Sequence, residues 1–364
     1  MRKLLKVAAI ALVTVVAFFC IFVGWQISLQ YSRFEDRTDP QLGSLIEGIA
    51  TSDALWILGS SGQVVRINRR SGERSLLSKG TIDIVADGQR LWALSKTAEG
   101  SWQVTDLRNP NEPAISVSRD TAPIVLFSTS AGPAVLTSNK VLLPAPDGWS
   151  PLPLSETIFE GATAFSPSDK VLYVGYDHGE FGGGLRQINL NNGQVSIIED
   201  TPDSRQTLQS CQGLMNTGCD PVVRIMSDPQ QPDCILAGTN QSHLGMYDGV
   251  VVKVCGQTLA PVFSRELWTL DKLTSGPNRT WAFNTLTPVR NGWVAVGHTR
   301  YARAAYSAAS TSPKIKMSAF PRLGDLGNLK VSKDIDGVIF VETYCCAYYG
   351  LKKQRWIIAL PVMN

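Results

Sequence analysis

Asp53-Ala54-Leu55-Trp56-Ile57-Leu58-Gly59 leads into Gly62-Gln63-Val64-Val65-Arg66-Ile67-Asn68 and then Ser71-Gly72. An acidic turn residue opens an uncharged run, and a glycine ends it. A second run carries Arg66-Ile67-Asn68 into another glycine. Short runs rich in Val, Ile, Leu and Trp, bounded by turn formers, read as strands. Gly or Asn at the turn relieves a positive φ. The unit is therefore strand, turn, strand.

Variations on this phrase fill residues 45 onward. Asp87-Gly88-Gln89-Arg90-Leu91-Trp92-Ala93-Leu94 repeats the opening, and Asp169-Lys170-Val171-Leu172-Tyr173-Val174-Gly175 repeats it again. That copy continues through Gly184-Leu185-Arg186-Gln187-Ile188-Asn189 to Asn192-Gly193. Later copies open at Asp233, Asn291 and Asp336, and a degenerate one centres on Ala134-Val135-Leu136. Corresponding positions Trp56, Trp92, Val135, Tyr173, Ile235, Val294 and Ile339 lie 36, 43, 38, 62, 59 and 45 residues apart. Repeats of about 40–50 residues, each supplying about four strands, are the signature of propeller blades. The expectation is an all-β fold over residues 45–364, a β-propeller of seven blades, with six or eight as alternatives. The two longest intervals contain the Cys211–Cys219 stretch and the segment from Leu267 to Arg279, read as insertions on blade loops. A β-sandwich gives no reason for one phrase to recur at this period.

Leu55-Trp56-Ile57-Leu58-Gly59 with Val65-Arg66-Ile67-Asn68, and Val171 to Gly175 with Leu185-Arg186-Gln187-Ile188-Asn189, resemble the broad β-propeller superfamily of WD-repeat-like, YVTN-repeat-like and sensor-regulator propellers. The resemblance covers most of residues 45–362. It implies a fold and carries no catalytic residue over. Trp-Asp endings are absent.

Composition sets limits on partners. Of 364 residues 18% are charged, where about 25% is usual for a soluble domain. A net charge of +3 argues against nucleic-acid binding by bulk charge. Arg2, Lys3 and Lys6 precede an uncharged run from Val7 to Trp25. As a helix that run would rise about 28 Å, close to the roughly 30 Å hydrocarbon core of a bilayer. The expected organisation is a basic cytoplasmic flank over 1–6, a transmembrane signal-anchor helix over 7–25, a linker over 26–44 and the repeated domain over 45–364. A cleaved signal peptide is the rival reading, but its apolar region is shorter and ends in a small-x-small site. The basic flank keeps the N-terminus in the cytoplasm and exports the rest to the periplasm or the cell exterior.

Cysteine usage agrees with export. Besides Cys20 in the apolar run, the chain has Cys211, Cys219, Cys234, Cys255, Cys345 and Cys346. An even count in an oxidising compartment points to disulfides, here Cys211–Cys219 and Cys234–Cys255. The adjacent Cys345 and Cys346 either close a vicinal ring or stay free. Zinc is disfavoured, because the chain has no CxxC and no metal-finger His spacing.

Candidate chemistry is sparse. His178, His243 and His298 each follow a strand-ending glycine, namely Gly175, Gly238 and Gly297. If the blades align, their loops share one face near the central channel. Asp177, Glu180, Asn240, Arg300 and Glu342 lie near them, and together these eight residues form the candidate ligand-binding set. No catalytic set, metal site or cofactor is assigned. Gly179-Glu180-Phe181-Gly182-Gly183-Gly184 resembles a phosphate loop only superficially. A strand follows it, with neither a helix nor a Lys-Ser/Thr ending, so it reads as a turn. The functional expectation is a membrane-anchored, exported, non-enzymatic module binding a protein, peptide or glycan. The alternative is a propeller enzyme. Cys345-Cys346 would suit a quinoprotein-like dehydrogenase, and Asp177, His178 and Glu180 a hydrolase or lyase.

Overall fold

The computed structural model describes residues 45–87, 90–118, 122–146, 148–159, 162–178, 181–200, 214–243, 246–264, 266, 280–289, 292–298, 303–309, 312–318, 335–343 and 354–361. The expected anchor over 7–25 lies outside these residues, as do Cys211, Cys345 and Cys346. The described chain contains strands and no α-helix.

Its strands follow one another in antiparallel order. The first sheet is β1 (Leu45–Ala50), β2 (Ala54–Gly59), β3 (Val64–Asn68) and β4 (Arg74–Ser78). The second is β5 (Thr81–Asp87), β6 (Arg90–Lys96), β7 (Trp102–Asp106) and β8 (Ile115–Val117), and the third is β9 (Pro123–Thr129), β10 (Gly132–Thr137), β11 (Lys140–Ala145) and β12 (Gly148–Pro153). The fourth holds β13 (Ala162–Ser168), β14 (Val171–Asp177), β15 (Gly183–Asn189) and β16 (Val195–Ile198). In the fifth, β17 (Val222–Asp228) and β18 (Gln231–Thr239) continue, after a hairpin of β19 (Gln241–His243) and β20 (Met246–Asp248), to β21 (Val251–Cys255) and β22 (Thr258–Phe263). The sixth comprises β23 (Ala282–Val289), β24 (Gly292–His298), β25 (Arg303–Ala309) and β26 (Ser312–Ser318). A two-stranded sheet of β27 (Ile335–Thr343) and β28 (Gln354–Pro361) follows.

First strands of successive sheets lie against one another: β5 against β1 and β9, β13 against β9 and β17, and β23 against β17 and β27. β27 also lies against β1, so these strands form a closed cycle. The second strands carry the quoted phrase. Trp56, Trp92, Val135, Tyr173, Ile235 and Val294 fall on β2, β6, β10, β14, β18 and β24. Ile339 is out of register with them, because β27 occupies a first-strand place between β23 and β1.

The phrase is apolar without alternation because both faces of the second strand are covered. All of β2 is buried, whereas β4 on the sheet edge is mostly exposed. The core is divided into slabs between neighbouring sheets. Trp56 and Leu58 meet Ile84 and Leu91, while Trp92 and Leu94 meet Leu126 and Val135. Pro151 and Pro153 lie on the outer strand β12, where a missing N–H removes no ladder bond. The acidic residues of the phrase lash sheets together. Asp53 accepts from Arg66 at 3.3 Å and from Arg108, in the β7–β8 connection of the second sheet, at 2.8 Å. Asp169 accepts from the backbone N–H of Ser130 at 2.8 Å, tying the fourth sheet to the third.

The expected Cys234–Cys255 disulfide is present and joins the paired strands β18 and β21. Cys219 is buried and disulfide-bonded as well. Replacing both Cys234 and Cys255 by Ser should lower unfolding stability by about 2–4 kcal/mol, the range of the chain-entropy model for such a loop. Urea unfolding of variant and parent under non-reducing conditions measures the difference.

Candidate functional site

Five first strands share one irregularity. Register slips by one residue between Leu45 and Glu47, Thr81 and Asp83, Pro123 and Val125, Val222 and Arg224, and Phe283 and Thr285. In each case the extra residue is a bulge near the start of the strand: Ile46, Ile82, Ile124, Val223 or Asn284. A bulge re-aims the side chains beside it. Here it puts Glu47, Asp83 and Arg224 at equivalent places on strands of the inner cycle.

These three groups meet inside the cycle. Arg224 donates through Nη1 to Glu47 Oε1 at 3.1 Å. Their strands, β17 and β1, are not neighbours. β23 and β27 separate them one way round, and β5, β9 and β13 the other. The ion pair therefore spans the interior of the cycle. Asp83 hydrogen-bonds Glu47 side chain to side chain. It also accepts from Leu126 N–H at 2.5 Å and Ile84 N–H at 2.8 Å. Part of the Asp83 residue surface stays open, yet its carboxyl is enclosed. Burial, and then the adjacent Glu47 carboxylate, hold Asp83 well above the ordinary carboxyl range.

The residues singled out in the sequence lie elsewhere. His178, Asn240 and His298 stand at the ends of β14, β18 and β24, and His243 ends the short strand β19. They share the strand end toward which Glu47, Asp83 and Arg224 also lie, since the starts of the first strands pair with the ends of the second. His178 is exposed and stacks on Tyr176 at 5.9 Å. The Arg186 guanidinium lies 5.6 Å from the centre of the same ring, and Phe159 meets it edge-on. Asp177 is exposed on the same strand end. Asn240 donates its N–H to Pro221 at 3.0 Å. Glu342 falls at the far end of a first-type strand rather than after a second one. Glu180 and Arg300 lie outside the described residues.

The glycines at 182–184 are a seat for another loop. A Cβ on Gly182 would come within 2.4 Å of the Gly218 carbonyl carbon. Gly183 and Gly184 instead donate their N–H groups to Thr217 and Asp220. Asp220 is half-buried as a residue with its carboxyl largely enclosed, accepts from Asn216 N–H at 2.8 Å and faces the charge of Asp248. Burial, ahead of that repulsion, raises its pKa to about 6.

Exposure of large apolar side chains adds to this picture. Leu76, Leu77, Ile197 and Val262 are on outer strands, as edges commonly show. Ile46, Ile82, Phe159 and Phe181 are not. They occupy the strand end that carries His178 and the Glu47 cluster, and Phe159 and Phe181 are 63% and 76% exposed.

No protein-family model and no curated protein matches the chain. Solved structures do resemble it. A GH74 enzyme from Niastella koreensis superposes with TM-score 0.50 at 12% identity, over 76% of this chain and 45% of that one. A GH74 xyloglucanase from Xanthomonas campestris gives 0.47 at 19% identity, over 75% and 46%. The chain thus spans under half the length of those enzymes. At such identity the likeness bears on fold alone, and the fold is all-β and propeller-like.

Both raised carboxyls make folding favour the protonated form. Their favourable contribution is complete below the unfolded value of 3.8 and is lost as pH rises, for Asp220 through about 6. D220N keeps an acceptor for Asn216 N–H without the charge. It should be more stable than the parent at pH 7.5 by about 1–3 kcal/mol and nearly equal below pH 4. D83N should flatten the same acid-to-neutral decline. Urea midpoints measured across pH test both.

Proposed function

We propose that this chain is a seven-bladed propeller, held at the outer face of a membrane by its N-terminal segment, which recognises a peptide or protein at one end of its blades. The observation that carries this reading is the surface bearing Phe159, Phe181, Ile46 and Ile82. Exposed Phe159, edge-on to Tyr176 with its stacked His178, offers the kind of apolar anchor that interfaces use. The charged groups within the cycle are already matched to one another, which suits a rigid support for that surface. The count of seven rests on β27 completing the cycle of first strands. Export rests on the disulfides and on the basic flank before the 7–25 run.

A photo-crosslinking residue at position 181 should give an adduct of defined mass in cells, and the same residue at Ile197 should not. F159S/F181S should abolish that adduct captured from position 178 while leaving unfolding stability within about 0.5 kcal/mol. A reporter fused after Asn364 should be active only outside the cytoplasm. Equal adducts at 181 and 197 would sink the recognition surface, and a cytoplasmically active reporter would sink export.

The enzyme reading keeps one favourable observation, the Asp83 carboxyl hydrogen-bonded to Glu47 and raised above the ordinary carboxyl range. An acid and a base held together are the elements of hydrolysis. Turnover of a glycoside or peptide substrate that disappears in D83N would establish that reading instead.

A further inference from the structure

The turn that carries Phe181 supports a second loop, residues 214–220, which leads into β17. The turn is closed by His178 N–H, which donates to Gly182 O at 2.9 Å, and by Phe181 N–H, which donates to His178 O at 3.2 Å. Directly after it, Gly183 N–H donates to Thr217 O at 2.9 Å and Gly184 N–H to Asp220 O at 2.8 Å. The loop therefore sits on the backbone next to Phe181, in the space that side chains at 182–184 would fill. Cys219, buried and disulfide-bonded, keeps it tethered.

Two features oppose this seating. Met215 has a φ of 59°, the left-handed region in which a side chain is strained, and it is held there by burial in the core with Tyr173, Leu185, Ile225 and Ile235. The other is Asp220. Its enclosed carboxyl accepts from the N–H groups of Asn216 and Met215 and faces the charge of Asp248 on β20. Asp248 accepts from Thr280 Oγ1 at 2.6 Å, which fixes one of its oxygens. The elements packed against the loop also carry Asp177 and His178, at the end of β14, and Asp200, whose N–H donates to Leu214 O at 3.0 Å. Among the described residues, no Lys or Arg pairs with Asp220.

We infer that residues 214–220 act as a latch on the Phe181 turn, seated while Asp220 is protonated and released when it ionises. Release breaks both glycine bonds, relaxes the Met215 backbone and brings water to the new carboxylate. The direction follows from the enclosure of the carboxyl. Asp220 titrates at about 6 when seated, against 3.8 when free, so seating is fully favoured below 3.8 and is lost as pH rises through 6. Release removes the support beside Phe181, so the recognition surface is ordered in acid and loosened at neutral pH. That last step rests on the recognition reading proposed above; the latch itself does not.

Amide hydrogen exchange of the full chain reads the seat directly at Gly183 and Gly184. After correction for the intrinsic exchange rate, their protection should fall about tenfold between pH 5 and pH 7.5, the factor that a shift from 3.8 to about 6 sets. D220N should show no such fall. D248N keeps an acceptor for Thr280 and removes the facing charge, so it should show a smaller fall, and it decides the matter if D220N does not fold. The cross-linker at position 181 should give more adduct at pH 5 than at pH 7.5 in the parent and equal amounts in D220N. No adduct at either pH, with the exchange results as expected, would overturn the recognition reading and support the latch. Protection independent of pH, a fall in D220N or D248N as large as in the parent, or glycine amides as slow to exchange as those of β6, freed only by global unfolding, would overturn the latch.

Discussion

Among the described residues, the sheets are apolar on both faces of their second strands and must cover both. The second strands make this plain: β2 is buried along its whole length, β10 nearly so, and β18 from Cys234 to Thr239. One sheet packed on one partner would leave half of that surface in water, at a cost of about 25 cal/mol per Å². A closed cycle of sheets gives each one a neighbour on either side. The slabs of core between successive sheets are the outcome, and the acidic turn residues Asp53 and Asp169 add ties at the sheet borders.

Closure creates an interior that has to be filled or lined. The bulges at Ile46, Ile82, Ile124, Val223 and Asn284 deal with this in one repeated way, by turning the next residue to a common place. Where that residue is Val125 the lining is apolar. Where it is Glu47, Asp83 or Arg224, opposite charges and a hydrogen bond between the two carboxyls reconcile groups that would each be costly alone. The ion pair links β1 to β17 without either strand being the neighbour of the other, so it braces the cycle across its interior.

The two strand ends differ in kind. One presents Phe159, Phe181, Ile46 and Ile82 around the charged interior, a broad surface suited to another chain. The other carries a cleft of about 420 Å³ lined by Asp87, Arg90 and Trp92 among others. Turn direction produces this division. Loops from second to third strands and between sheets fall at one end, and loops from first to second strands at the other.

The sequence determined what depends on local pattern. Uninterrupted apolar runs between Asp and Gly turns identify the second strands, since a strand covered on both faces shows no alternation. Their period identifies repeated sheets, and Cys234 and Cys255 at the borders of such runs identify a cross-link. The interior cluster was hidden for an equally physical reason. Glu47, Asp83 and Arg224 are 36 and 141 residues apart in the chain, and they sit on first strands that lack the quoted phrase. Leu45-Ile46-Glu47, Thr81-Ile82-Asp83 and Val222-Val223-Arg224 do share a pattern, a β-branched apolar residue before a charge, but only a bulge gives it meaning. The same dependence misled the last copy, where Ile339 has the right composition and the wrong strand. Local sequence states which residues prefer to be strands. Which strand lines the interior is decided by closure, because only the finished cycle distinguishes its inside from its outside.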